Sequence, residues 1–167
     1  AADAADAPPL ITLGLALGAA GDLFLSLGGE KTFLAGMAAF AAGHLAYAAA
    51  FVAAGGGLPG WVVLVPLVVL GASTEVWLAP YTGPLRWPVR GYAVVILVMA
   101  ATALSLPPGL ITAGAVLFVL SDLILALDLF RYGPDRPSRL RARALWAAYW
   151  TGQALILLGM APALAAA

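Results

Sequence analysis

Residues 109–130 read GLITAGAVLFVLSDLILALDLF. Only Asp122 and Asp128 interrupt the apolar run, and about 20 such residues in a helix cross the hydrocarbon core of a bilayer. Five further stretches have the same make-up, at 9–28, 33–54, 61–79, 89–106 and 143–165. Turn residues separate them: Gly28-Gly29-Glu30-Lys31, the run from Gly55 to Gly60, Pro80 to Pro88, Pro107-Pro108-Gly109, and a polar link from Arg131 to Arg143 holding Pro134 and Pro137. Composition agrees. Hydrophobic residues make up 63%, charged ones 10%, and mean hydropathy is +1.01, whereas a soluble domain carries about 25% charge. The sequence therefore predicts an all-α, polytopic transmembrane bundle of about six spans, with 1–167 as a single membrane domain. Short links imply antiparallel neighbours. A membrane β-barrel would need alternating segments of about ten residues, which these uninterrupted runs do not resemble.

Charge gives an orientation. Lys31 falls in the first link, Arg86 and Arg90 flank the third, and Arg131, Arg136, Arg139, Arg141 and Arg143 lie in or beside the fifth. Links two and four carry no basic residue, so all eight sort to one face, expected to be cytoplasmic, with both chain ends outward. Equal numbers of acidic and basic residues leave no excess to neutralise phosphates, which argues against a nucleic-acid partner. Without cysteine there is no thiol nucleophile, disulfide or thiolate metal site, and one histidine, His44, cannot build a multi-histidine metal centre. The chain starts at Ala1 without a basic n-region, so no signal peptide is expected and the start reads as a processed or fragment end.

Gly14, Gly18 and Gly21 form a small-residue step on span one, read as tight helix packing. Ionisable groups within spans are costly and read as functional by default. Span one holds Asp22, with Ser26 a turn later on the same face; span five holds Ser121 and Asp122. Span two carries a stripe at heptad spacing, Phe33, Met37, Phe40, His44, Tyr47 and Phe51, and span six a similar one, Trp146, Tyr149, Gln153 and Met160. Asp22, Asp122 and Tyr149 lie roughly 9–12 Å from the basic ends of their helices, and His44 and Gln153 roughly 16 Å. A pocket opening toward the basic face accounts for that shared depth. Each residue has a plainer role to set beside it. Asp128 and Glu75 suit solvated or salt-bridged positions near the interface, His44 a hydrogen bond to Tyr47 or to a backbone carbonyl, and Tyr149 an interfacial belt. Asp22 and Asp122 have no cation in their spans, and a buried carboxyl group then needs a hydrogen-bonding partner or a proton. Two carboxyl groups of different proton occupancy are a kit for acid/base hydrolysis. No G-x-S-x-G, P-loop or dinucleotide-binding glycine signature occurs.

Four ordered motifs give a resemblance: Gly21-Asp22, then Phe33-Leu-Ala-Gly36 with Phe40-Ala-Ala-Gly-His44-Leu-Ala-Tyr47, then Ser121-Asp122, then Tyr149-Trp150-Thr-Gly-Gln153. Together they resemble the YhhN-like lysoplasmalogenase family, with Trp150 in place of a second tyrosine. The resemblance implies a bundle of eight helices in the family, two of them upstream of this chain's start. It also implies a membrane hydrolase that cleaves the vinyl-ether bond of a lysoplasmalogen to a fatty aldehyde and a glycerophospho-alcohol, without metal or cofactor. By motif match Asp22, Asp122 and His44 would be catalytic, and Tyr47, Ser121, Tyr149 and Gln153 would bind the lysophospholipid among the lipids of the cell (inner) membrane. Two other readings stand beside it: a proton-coupled small-solute transporter using Asp22, Asp122 and His44 as a relay, which predicts inverted repeats and helices broken near the midplane, and a lipid-binding scaffold without turnover. Head-group preference and oligomeric state are not written in the sequence.

Overall fold

The structure is a computed structural model that describes residues 7–165, residue 134 excepted. It has six membrane-length helices and, among the described residues, no strand. They are α1 (Ala7–Ser26), α2 (Glu30–Ala53), α3 (Trp61–Trp77), α4 (Arg86–Leu104), α5 (Leu110–Ala126) and α6 (Arg139–Ala165). Short 3-10 turns, Ala79–Tyr81 and Gly83–Leu85, join α3 to α4, and a π-helical turn, Leu127–Tyr132, continues α5. Three helices take in charged residues ahead of their apolar runs: α2 begins at 30 rather than 33, α4 at 86 rather than 89, and α6 at 139 rather than 143. Charged residues end a hydrophobic run without ending a helix, because long side chains reach interfacial water from inside it.

The α1–α2 turn is tight because Gly28 and Gly29 take φ values of +69° and +98°, open to glycine without steric cost. The Thr32 hydroxyl donates to the carbonyls of Gly28 and Gly29, at 2.5 and 2.9 Å, and closes the turn. Five helices form a ring in the order α1, α2, α4, α5, α6, with α6 returning to α1. The expectation that sequential spans are neighbours holds for α3 with α4 but fails between α2 and α3, since α2 packs on α4 instead; α3 buries none of its own residues. Val62, Val65, Val68, Val69 and Val76 are exposed, an apolar surface that suits lipid, while Gly71 is the point of close approach to α4, where a Cβ would stand 2.5 Å from Leu97. The α2–α3 loop is tied instead to the end of α4, where the Gly57 amide donates to Ser105 Oγ at 2.7 Å.

Inside the ring sit Ile11, His44, Tyr47, Phe51, Met99, Phe118 and Ile156, all essentially inaccessible. The stripe expected on α2 is real: Phe40, His44, Tyr47 and Phe51 are buried and Phe33 and Met37 half-buried. On α6, Tyr149, Gln153 and Met160 face inward, whereas Trp146 is exposed. Backbones touch where α5 meets α6: a Cβ on Gly114 would stand 2.7 Å from the Gly152 carbonyl, and one on Gly152 2.9 Å from that of Gly114.

Candidate active site

The ring gathers the polar residues into two groups. In the first, Asp122 of α5 accepts a hydrogen bond from Tyr92 of α4, Oη to Oδ2, at 2.8 Å. His44 of α2 stands on the other side of the same oxygen, its Nε2 3.5 Å away. His44 Nδ1 lies 2.7 Å from the Phe40 carbonyl, which can only accept, so Nδ1 carries the proton in a neutral ring and Nε2 presents a lone pair. That Nε2 is buried and has no hydrogen-bond partner. At 3.5 Å its approach to Asp122 is a charge or proton-transfer contact in waiting rather than a formed bond. Phe118 and Tyr92 hold the imidazole edge-on, with ring centroids 4.7 and 5.6 Å away.

The second group is a one-way chain of donors. The Tyr47 hydroxyl donates to Gln153 Oε1, Gln153 Nε2 donates to the Tyr149 hydroxyl at 3.2 Å, and Tyr149 donates to Asp22 Oδ2 at 3.0 Å. Each donor in such a file polarises the next, so the carboxyl group is served by all three. Glycines of α1 make room for it. A Cβ on Gly14 would meet the Tyr47 ring at 2.5 Å, one on Gly18 would meet Gln153 Nε2 at 3.1 Å and Tyr149 Oη at 3.2 Å, and one on Gly21 would meet the Phe40 ring at 2.6 Å. The step read as packing alone is thus also the floor on which the site side chains rest.

The two aspartates, expected to act as a pair, belong to different groups. Asp22 is on α1 and Asp122 on α5, helices that are not adjacent in the ring. Phe118 lies between, its ring against His44 on one side and Tyr149, 5.3 Å away, on the other. Neither carboxyl group lacks a partner, since each has a tyrosine. Tyr149 is buried at 6% exposure, which removes it from the interfacial belt, while Trp146 and Trp150 beside it are exposed. Ser121 is buried but spends its hydroxyl on the Phe118 carbonyl of its own helix, at 2.7 Å, and joins neither group. Ser26 is exposed and bonds the Leu23 carbonyl. Glu75 pairs with Arg86 and Arg90, and Asp128 pairs with Arg141 rather than with its sequence neighbour Arg131. Tyr92 went unnoticed in the sequence; two residues after Arg90 at a helix start, it reads there as an interfacial tyrosine.

An apolar cavity of about 110 Å³ lies between α3 and the wall made by α2, α4 and α5. Met37 and Phe40, Leu70 and Thr74, Ile96 and Val119 are among its walls, and Asp122 with Tyr92 forms its polar spot. Asp22, His44, Tyr47, Ser121, Tyr149 and Gln153 do not line it. Among the described residues no three His, Asp or Glu side chains gather as metal ligands would. The model of the YhhN family matches residues 1–160. The chain belongs to the YhhN family. This YhhN-family chain matches no curated protein and no solved structure.

Proposed function

We propose that this YhhN-family protein is a membrane hydrolase that cleaves the vinyl-ether bond of a lysoplasmalogen-type lysolipid, with Asp122 as the acid. The observation that carries this reading is the placing of Asp122: it is the only acidic residue lining the apolar cavity, and its neighbour His44 has a free basic nitrogen. A one-tailed lipid fits an apolar slot with a single polar spot. In the reaction, the Asp122 carboxyl group gives its proton to the β-carbon of the vinyl ether, and the α-carbon becomes an oxocarbenium ion. Water adds to that carbon and loses a proton to the Asp122 carboxylate, the group that faces the cavity. The hemiacetal formed then breaks its bond to the glycerol oxygen, leaving a fatty aldehyde and a glycerophospho-alcohol. His44 Nε2, 3.5 Å from the same carboxyl group, can share the recovered proton, and the cycle closes without net change in the protein. Tyr92 holds the carboxyl oxygen in place through the step.

The Asp22 chain is assigned a positioning role, fastening α1 to α6 beneath Tyr47. Orientation in the cell membrane with the basic links cytoplasmic is part of the same proposal and rests on the charge sorting. A proton-coupled transporter is the weaker reading, because α1 to α6 each run unbroken through their centres, Pro66 lying in the second turn of α3. The test is mass spectrometry of purified protein incubated with lysoplasmalogen. Aldehyde is expected from the parent and none from a folded Asp122→Asn variant; near-parental aldehyde from that variant sinks the assignment.

A further inference from the structure

The cavity stops short of the basic face at three side chains, Phe33 at the start of α2 and Leu129 and Phe130 in the π-helical turn. The same three side chains line a second, surface recess whose other walls are Gly29, Glu30, Pro84 and Leu85. They are therefore a partition one side chain thick. Phe33 and Phe130 meet edge to face across it, with centroids 6.4 Å apart. An edge-to-face contact of this kind adds little beyond the area it buries, so it is a contact a side-chain rotation can open.

The backbone on either side is suited to a moving side chain. The π-helical turn leaves the α-helical hydrogen-bond register, a feature frequent at functional sites. Its flanks are pinned: Asp128 pairs with Arg141, the Arg131 guanidinium lies 4.1 Å over the Tyr81 ring, and that of Arg141 lies 4.0 Å over Tyr132. Phe130 can then swing while the turn that carries it stays.

We infer that Phe33 and Phe130 are a gate between the surface recess and the cavity, and that an amphiphile from the basic face straddles it with its polar end outside and its apolar part at Asp122. Taking a lysolipid as the straddling ligand rests on the hydrolase reading; the gate itself does not. It makes Phe33 and Phe130 determinants of which substrates enter, without contact with the reacting bond.

The absence of native cysteine makes the test clean. Ala126→Cys places a thiol on the cavity wall alone and Leu85→Cys one in the recess alone. Each is treated, in vesicles, with a charged, water-soluble thiol reagent from the basic side, in three backgrounds: parental, Phe33→Ala and Phe130→Ala. The gate predicts at least a tenfold faster reaction at position 126 in either alanine background, no change at position 85, and slower reaction at 126 with Leu129→Trp. Unchanged rates at 126 in both backgrounds, or equal rises at 126 and 85, would overturn it. Two separate alanine variants keep the result readable if one misfolds. Aldehyde release plays no part in the readout, so the gate and the hydrolase reading can fail independently.

Discussion

Replacing Gly14 by alanine should destabilise the protein, and replacing Tyr47 as well should reverse the sign. A Cβ at position 14 would stand 2.5, 2.7 and 2.9 Å from three atoms of the Tyr47 ring. The ring cannot retreat freely: it is 2% exposed, stacks on Phe51 with centroids 6.3 Å apart, and is tied through its hydroxyl to Gln153. Overpacking of this kind costs about 1–3 kcal/mol, and displacing the hydroxyl from Gln153 about 1 kcal/mol more. Against that, alanine is better than glycine inside a helix by about 1 kcal/mol. The balance for Gly14→Ala is a loss of about 1–3 kcal/mol. In a Tyr47→Ala background the three closest atoms are gone and only the helix-propensity gain remains, so the same substitution should be neutral or stabilising by up to about 1 kcal/mol. The assay is a double-mutant cycle on denaturation midpoints in detergent, where the coupling between the two positions should be about 1–4 kcal/mol. An equal cost of Gly14→Ala in both backgrounds would show that the glycine serves the helix rather than the tyrosine, and would refute the account of α1 as a floor.

Other consequences can be measured in the same preparations. Tyr92→Phe keeps the ring against His44 but leaves Asp122 Oδ2 without its donor, so turnover should fall at least tenfold while KM stays near parental; a change confined to KM would place Tyr92 in binding instead. Gly152→Leu meets the Gly114 backbone, which cannot yield, and should abolish the folded, monodisperse species in size-exclusion chromatography, whereas Gly57→Ala, with open space around it, should not. Glu75→Gln removes an exposed pair with Arg86 and Arg90 and should leave the thermal midpoint unchanged, because such pairs are screened by solvent. His44→Ala should lower aldehyde release far more than Ser121→Ala, whose hydroxyl is engaged with its own helix.

Much of this architecture is legible in the chain because lipid imposes long apolar runs, and because the period of Phe40, His44, Tyr47 and Phe51 shows which side of α2 turns inward. What is not legible depends on angle around the bundle. Depth along a helix places Asp22 and Asp122 in the same layer, but nothing in their own spans says that α2 and α4 intervene on one side and α6 on the other. The displacement of α3 is hidden for a related reason: a helix with no preferred face carries no sign of what it fails to pack against. Tyr92 was missed because a tyrosine near an arginine at a helix start is common at membrane interfaces. The glycine row was read correctly as close packing, while the identity of the side chains it admits required the register of α1 against α2 and α6.

The ring closes on itself through its first and last helices, and that sets an order in time. The Tyr92–Asp122 bond joins positions 30 residues apart, while the Tyr149–Asp22 bond joins positions 127 residues apart. At roughly 5–20 residues per second of synthesis, Asp22 waits on the order of 6–25 s in the membrane before its partner is made. The group around Asp122 can assemble as soon as α5 arrives; Asp22 gains its tyrosine only when α6 follows. Arrival of α6 therefore acts as the latch that closes this ring, and until then the Asp22 carboxyl group stands in the membrane without the donor it has in the folded ring.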